Sequence, residues 1–222
     1  MTVRTPKGEA ISQITQARRY DAVMGRGLMQ REYRRIGRQV AQMLPCGGRI
    51  LDIGTGPGYV AIEVARLLGA SAEITGIDAS EAMLSVAAEN SRDAGVEARV
   101  CWLTADAAHM PFGDDEFDFV VSNGSLCHWR DPVGVFAEIS RVLRPAGGYQ
   151  VSAPQRLTAP LPRVAAWLVG ASLPRSFRAQ FWTSINAAYT PNELAGMLDQ
   201  SALGGWTIER EFIALRIFRN PG

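Results

Sequence analysis

The stretch Ile50-Leu51-Asp52-Ile53-Gly54-Thr55-Gly56-Pro57-Gly58-Tyr59 constrains the fold of this chain more than any other. It opens as a short apolar run of the kind that forms a buried strand and closes at the start of an amphipathic segment. Between them three glycines stand at alternate positions. Glycine tolerates positive φ and lets the backbone lie against a ligand. The helix that follows offers N–H groups with no partner of their own. In open α/β sheets, a strand–turn–helix unit at the carboxyl edge is where nucleotide-like ligands sit.

The surrounding pattern agrees. Arg49–Ile53, Glu73–Ile77, Ala98–Leu103, Phe117–Ser122 and Tyr149–Ala153 read as strands. Pro57–Leu68, Glu81–Ala94 and Pro132–Leu143 read as the helices between them, with Ser80 and Asp131 as caps. Such alternation implies parallel strands joined by right-handed crossovers. The rhythm breaks after residue 154. Arg163–Ala171 and Pro191–Ala202 have helical periodicity, and Trp206–Phe212 and Ala214–Arg219 read as strands joined tightly at Ile213. Before the core, Gly8–Met24 and Leu28–Leu44 are helical in pattern. The expectation is an α/β chain with a doubly wound, seven-stranded, mostly parallel sheet that ends in an antiparallel hairpin.

Composition narrows the chemistry. The 222 residues contain one lysine, Lys7, two histidines, His109 and His128, and three cysteines, Cys46, Cys101 and Cys127, in no C-x-x-C pair. That set argues against a Schiff-base or P-loop lysine, a disulfide framework and a cysteine zinc site. So thin a proton-transfer toolkit favours a reaction whose difficulty a cofactor carries. Net charge is +1, but residues 50–150 carry 15 acidic and 6 basic groups, whereas residues 1–49 carry 3 acidic and 10 basic. An acidic middle argues against a nucleic-acid channel across it. Met1–Glu9 is polar, no apolar run approaches a membrane span, and a cytoplasmic chain is expected.

Gly56-x-Gly58-x-x-Ala61, with Asp78 20 residues beyond Gly58, satisfies the formal dinucleotide fingerprint. Asp52 weighs against that reading. A carboxylate two residues before the first glycine is poorly placed beside a pyrophosphate and well placed for a cationic amino acid. The motifs that follow point the same way. They are Asp52-x-Gly54-x-Gly56-x-Gly58, Asp78-Ala79-Ser80-x-x-Met83-Leu84, Ala105-Asp106-Ala107-x-x-Met110-Pro111-Phe112, Phe117-Asp118-Phe119-Val120-Val121-Ser122, His128-Trp129-x-Asp131-Pro132 and Leu143-Arg144-Pro145-x-Gly147-Gly148. In this order and spacing the chain resembles the class I S-adenosylmethionine-dependent methyltransferases, in the small-molecule branch that includes quinone-biosynthesis C-methyltransferases. The resemblance is strong over residues 49–153 and weak on both flanks.

The resemblance implies a Rossmann-like fold, S-adenosyl-L-methionine as cofactor and S-adenosyl-L-homocysteine as product. By it, Gly54, Thr55, Gly56 and Gly58 pass beneath the methionine part of the cofactor, and Asp52 accepts from its ammonium or from the loop. Asp78 takes the ribose hydroxyls. Ala79 and Met83 flank the adenine, Asp106 accepts from its amino group and the Ala107 N–H points at its ring. Asn123 lies near the sulfonium, and Tyr20, of the pair Tyr20-Asp21, closes over the cofactor. His128 is the candidate base at the rim. The plainer alternatives are a helix cap for Asp78, a core position for Met83, a turn cap for Asp106 and a shape-giving role for His128.

One methyltransferase domain over 1–222 is expected: a helical cap at 1–46, the cofactor-binding core at 47–153, a substrate lid at 154–190, and a helix with two strands at 191–222. The aromatics Trp167, Phe177, Phe181, Trp182 and Tyr189 in or beside the lid suggest an apolar or aromatic small-molecule acceptor, with packing on the sheet as the other reading. A nucleic-acid or protein methyltransferase and a non-catalytic cofactor-binding module remain as alternatives, and a homodimer is compatible with the sequence. Ser122-Asn123-Gly124-Ser125 stands where enzymes acting on adenine amino groups carry N/D-P-P-Y/F.

Overall fold

The structure, a computed structural model, describes residues 11–157, 160–172 and 175–222. Seven strands form one sheet in the order β3-β2-β1-β4-β5-β7-β6. They are β1 (Gly48–Ile53), β2 (Ala72–Asp78), β3 (Val100–Thr104), β4 (Phe117–Asn123), β5 (Leu143–Pro154), β6 (Thr207–Arg210) and β7 (Ala214–Arg219). The first five pair in parallel, and β7 runs antiparallel to both β5 and β6. Strand order reverses between β1 and β4, which opens a crevice at their carboxyl ends.

Two helices precede the sheet, α1 (Ile14–Met24) and α2 (Gly27–Met43). The crossovers are α3 (Tyr59–Leu68), α4 (Glu81–Asp93) and α5 (Pro132–Val142). After β5 come α6 (Pro160–Ser172), α7 (Arg175–Ala187) and α8 (Pro191–Gln200). The sheet separates two cores. On one face Ile36 and Val40 of α2 meet Val60 and Val64 of α3 over Ile50, Phe119 and Val121. On the other, Phe136 and Ile139 of α5 and Leu194 of α8 pack on Leu51, Ile53 and Val120. Side chains alternate between these faces along each strand, so Asp52, between Ile50 and the turn, points to the α2 and α3 side.

Local chemistry fixes the helix starts. Ser80 Oγ accepts from Met83 N at 3.0 Å and Asp131 Oδ1 accepts from Gly134 N at 3.0 Å, as the sequence predicts. Thr190 and Glu193 form a reciprocal capping box at α8. Other boundaries move. The third helix begins at Tyr59 rather than Pro57, because Gly58 takes a left-handed conformation with φ of 82° as its cap. The fifth strand begins at Leu143, since Phe117 pairs with Leu143 and Phe119 with Gly148, leaving a bulge in the Arg144–Gly147 stretch expected to end the helix. α7 was not expected. The first helix was expected from Gly8, and its first residues lie outside the described ones, as does the side chain of Phe177. Among the described residues, no helix is long and apolar enough to cross a membrane.

Candidate cofactor site

The crevice holds a cleft of about 350 Å³, part of it open solvent. Its floor is the glycine turn, Asp52, Gly54, Thr55, Gly56 and Pro57, and its walls are Tyr20, Tyr33, Tyr59, Val60 and Asn123. The wall residues come from four elements: Tyr20 from α1, Tyr33 from α2, Tyr59 and Val60 from the first turn of α3, and Asn123 from the end of β4.

Two carboxylates hold the floor. Asp52 is 2% exposed and its Oδ2 accepts from Thr55 Oγ1 at 2.7 Å. Burial raises its carboxyl to about pH 7, Asp78 adds to the rise, and bonds from Thr55 and the Ala61 N–H oppose it. Asp78 spans the turn: its Oδ2 accepts from Gly56 N and its Oδ1 from Ser80 N, both at 2.9 Å. Burial pushes its carboxyl up, against the pull of those two N–H groups. The pair forms a dry, carboxyl-lined floor with lone pairs still to satisfy.

Gly56 and Gly58 serve different needs. Both have positive φ, 55° and 82°. A Cβ on Gly58 would lie 2.6 Å from the Trp102 ring, whereas a Cβ on Gly56 would enter open space. Gly58 is thus required by packing of α3 against β3. Gly56 is required by backbone conformation and leaves the floor bare.

The walls are tied to one another. Tyr33 and Tyr59 stack with ring centroids 5.1 Å apart. Tyr59 donates to Asp21 Oδ1 at 2.7 Å, and Asn90 Nδ2 donates to the same oxygen at 2.9 Å and to Pro57 O at 3.0 Å. Burial, Cys127 and Asp78 push the Tyr20 hydroxyl up to about 12, so it stays neutral.

The structure brings Asp52, Gly54, Thr55, Gly56, Asn123 and Tyr20 together in the cleft, with Asp78 and Gly58 bracing it. Other candidates stand outside its lining. Met83 packs with Ala17 and Val86, against Ile11, Tyr20 and Ala82. Ala79 is exposed beyond Asp78, and Ala107 packs on the core at the α5 side. Asp106 is largely exposed and its Oδ1 accepts from Ala108 N at 2.9 Å within its own turn. His128 is exposed at the end of a 3-10 turn, Leu126–His128, beyond Asn123. Sequence reasoning did not single out Tyr33 and Tyr59. Their aromatic character was visible, but their meeting depends on the packing of α2 against α3.

Residues 50–147 match the family model described as a methyltransferase domain. Methyltransferase GfsG of Streptomyces halstedii is 41% identical over 101 residues, covering 46% of this chain and 36% of that protein. The ubiquinone/menaquinone biosynthesis C-methyltransferase UbiE of Geotalea daltonii is 34% identical over 148 residues, covering 64% of this chain and 62% of that protein. The chain thus spans less than two thirds of either relative's length. In fold it is similar to a putative S-adenosyl-L-methionine-dependent methyltransferase of Methanococcus maripaludis, with a TM-score of 0.75 at 21% identity over 98% of this chain and 97% of that one.

Proposed function

We propose that the chain, whose residues 50–147 match a methyltransferase domain, is a class I enzyme that transfers the methyl group of S-adenosylmethionine to a small apolar or aromatic acceptor. The observation that carries this reading is the buried Asp52 carboxylate beneath a bare glycine turn. Thr55 and the Ala61 N–H give this carboxylate donors but no counter-charge; a buried charge is costly without one, and the cofactor's ammonium would supply it. When bound, the cofactor would supply an electrophilic methyl carbon for in-line displacement, with S-adenosylhomocysteine as the leaving group.

The chain's part is binding and alignment. Asp52 would hold the ammonium, with Thr55 orienting its carboxylate. Gly56 would keep the floor open beneath the methionine portion, with Gly54 and Gly58 shaping the turn that carries it. Asp78, already fixed by two backbone donors, has lone pairs left for the ribose hydroxyls. Ala79, Met83, Asp106 and Ala107 would serve the adenine, which requires the Asp106 turn to present its carboxylate toward the cleft. Asn123 would face the sulfonium end, and Tyr20 would cover it. His128 would accept the acceptor's proton where the acceptor has one to lose. Aligning acceptor and methyl supplies much of such an acceleration without a base.

The reading takes 1–222 as one catalytic unit, with 1–46 as cap and 154–190 as lid, working in the cytoplasm as monomer or homodimer. The acidic middle of the chain supports a small-molecule acceptor over nucleic acid. Calorimetric titration with S-adenosylmethionine and S-adenosylhomocysteine tests it. Micromolar binding of both supports it, and binding of neither overturns it. Binding with no homocysteine product from any acceptor would favour a cofactor-binding module.

A further inference from the structure

On the α2 side of the sheet a polar row leads away from the cleft. Register sets Asn123 of β4 beside Ser152 of β5, Ser152 beside Arg216 of β7, and Arg216 beside Glu209 of β6. Directly opposed residues share a face. The neighbours Val151, Leu215 and Ile217 all belong to the opposite core, beneath α5 and α8. Asn123 is in the cleft wall, so the row begins there. Ser152 is 5% exposed, and Gln150, two residues earlier on the same face, is fully buried.

Gln150 Nε2 donates to Gln39 Oε1 of α2 at 3.0 Å and to Ser152 Oγ at 3.4 Å. Its Oε1 is buried with no partner among the described residues, and so is Arg216 Nε. Arg216 Nη2 pairs with Glu209, and the guanidinium lies 4.2 Å over the Phe218 ring. Helix α2 closes the row, because Arg35 holds Glu211 through two bonds of 2.8 and 2.9 Å.

A buried polar atom left unpaired costs about 1–3 kcal/mol, and native interiors keep few of them. Here one acceptor and one donor stand on diagonal neighbours, a relation that puts Cβ atoms about 7–8 Å apart. One group that both donates and accepts would satisfy both.

We infer that Gln150, Ser152 and Arg216 form the acceptor-recognition subsite, and that it takes a neutral hydroxyl (a phenol, enol or alcohol) on an otherwise apolar molecule. The inference rests on the methyltransferase reading above. The hydroxyl donates to Gln150 Oε1 and accepts from the Arg216 Nε–H, with Ser152 beside them. A carboxylate suits the row poorly. Glu209 already neutralises Arg216, and an anion has no proton to offer Gln150. An apolar molecule without a hydroxyl would leave both atoms unpaired. The anchored hydroxyl sets the acceptor's position relative to Asn123 and the cleft.

The test titrates three probes, 2-naphthol, 2-methoxynaphthalene and 2-naphthoate, into the chain saturated with S-adenosylhomocysteine. The native chain should bind 2-naphthol at least tenfold more tightly than either of the others. Gln150→Leu and Arg216→Met should each erase that preference while keeping S-adenosylhomocysteine affinity within twofold, which also reports that they fold. Equal or absent binding of the three probes by the native chain overturns the inference. So does a preference that survives in either folded variant. Loss of S-adenosylhomocysteine binding by the native chain is a separate result, and it overturns the methyltransferase reading itself.

Discussion

The Tyr59 hydroxyl donates to Asp21 Oδ1 at 2.7 Å, and that bond joins the first turn of α3 to α1 across the mouth of the cleft. Asn90 donates to the same oxygen, so α4 shares the tie. Three helices that carry or support cleft walls thus meet at one carboxylate. Tyr59→Phe keeps the ring and its stack on Tyr33 but removes the bond. It should lower unfolding stability by about 1 kcal/mol, the ordinary worth of one hydrogen bond. It should also weaken S-adenosylhomocysteine binding several-fold, because α1 carries Tyr20. Chemical denaturation and calorimetry on the variant check the two effects separately.

Asp52 makes both stability and binding depend on pH. Its folded carboxyl is raised to about 7, above the ordinary value near 4 of an unfolded chain. The folded state therefore holds a proton that the unfolded state has lost. Stability falls as pH rises from about 4 to 7 and levels off above, by at most about 4 kcal/mol for a shift of this size. Asp52→Asn should flatten that part of the profile. Cofactor binding runs the other way, because the ammonium needs the ionised carboxylate. Affinity for S-adenosylhomocysteine should climb as pH rises from 5.5 to 7 and then level off. In Asp52→Asn it should be weak at every pH. Denaturation and calorimetry at pH 5.5, 6.5 and 8 read both slopes.

The two glycines should part company when changed to alanine. Gly58→Ala meets the Trp102 ring as well as an unfavourable φ. It should cost about 2–5 kcal/mol, combining left-handed strain with overpacking. Gly56→Ala carries only the strain and should cost about 1–2 kcal/mol. Its methyl group enters the open floor, so S-adenosylhomocysteine affinity should fall at least tenfold. Melting temperature and affinity, measured on both variants, separate a packing glycine from a floor glycine.

His128 is exposed beyond Asn123, outside the cleft lining. If it serves as the base, His128→Ala should lower turnover by about a hundredfold or more, the usual worth of a positioned base, with cofactor affinity unchanged. Turnover within threefold of native would assign it to the shape of the rim.

What the sequence revealed and what it hid divide along physical lines. The glycine turn, Asp52 and Asp78 were legible because local backbone demands dictate them. Ser80 and Asp131 were legible as caps for the same reason. Tyr33 and Tyr59 were not, because their stack depends on how α2 meets α3, contacts remote in sequence. The row from Asn123 to Arg216 was hidden more deeply. It exists only once β4, β5 and β7 pair in register, and β7 returns from 62 residues beyond Pro154 through Arg216. α7 went unseen although Phe177, Phe181 and Ile185 recur at four-residue spacing, because the prolines and aromatics of residues 154–190 read as a break in the rhythm. Met83 and Asp106 each carried a structural reading beside the binding one. In the fold Met83 packs on α1 and Asp106 caps its own turn.

Methyl transfer itself is tested most directly by incubating the chain with methyl-labelled S-adenosylmethionine and a set of hydroxylated and plain aromatic acceptors, followed by mass spectrometry. The account predicts label on at least one small acceptor and an equal amount of S-adenosylhomocysteine. No labelled acceptor, and no S-adenosylhomocysteine above the level without protein, would contradict it.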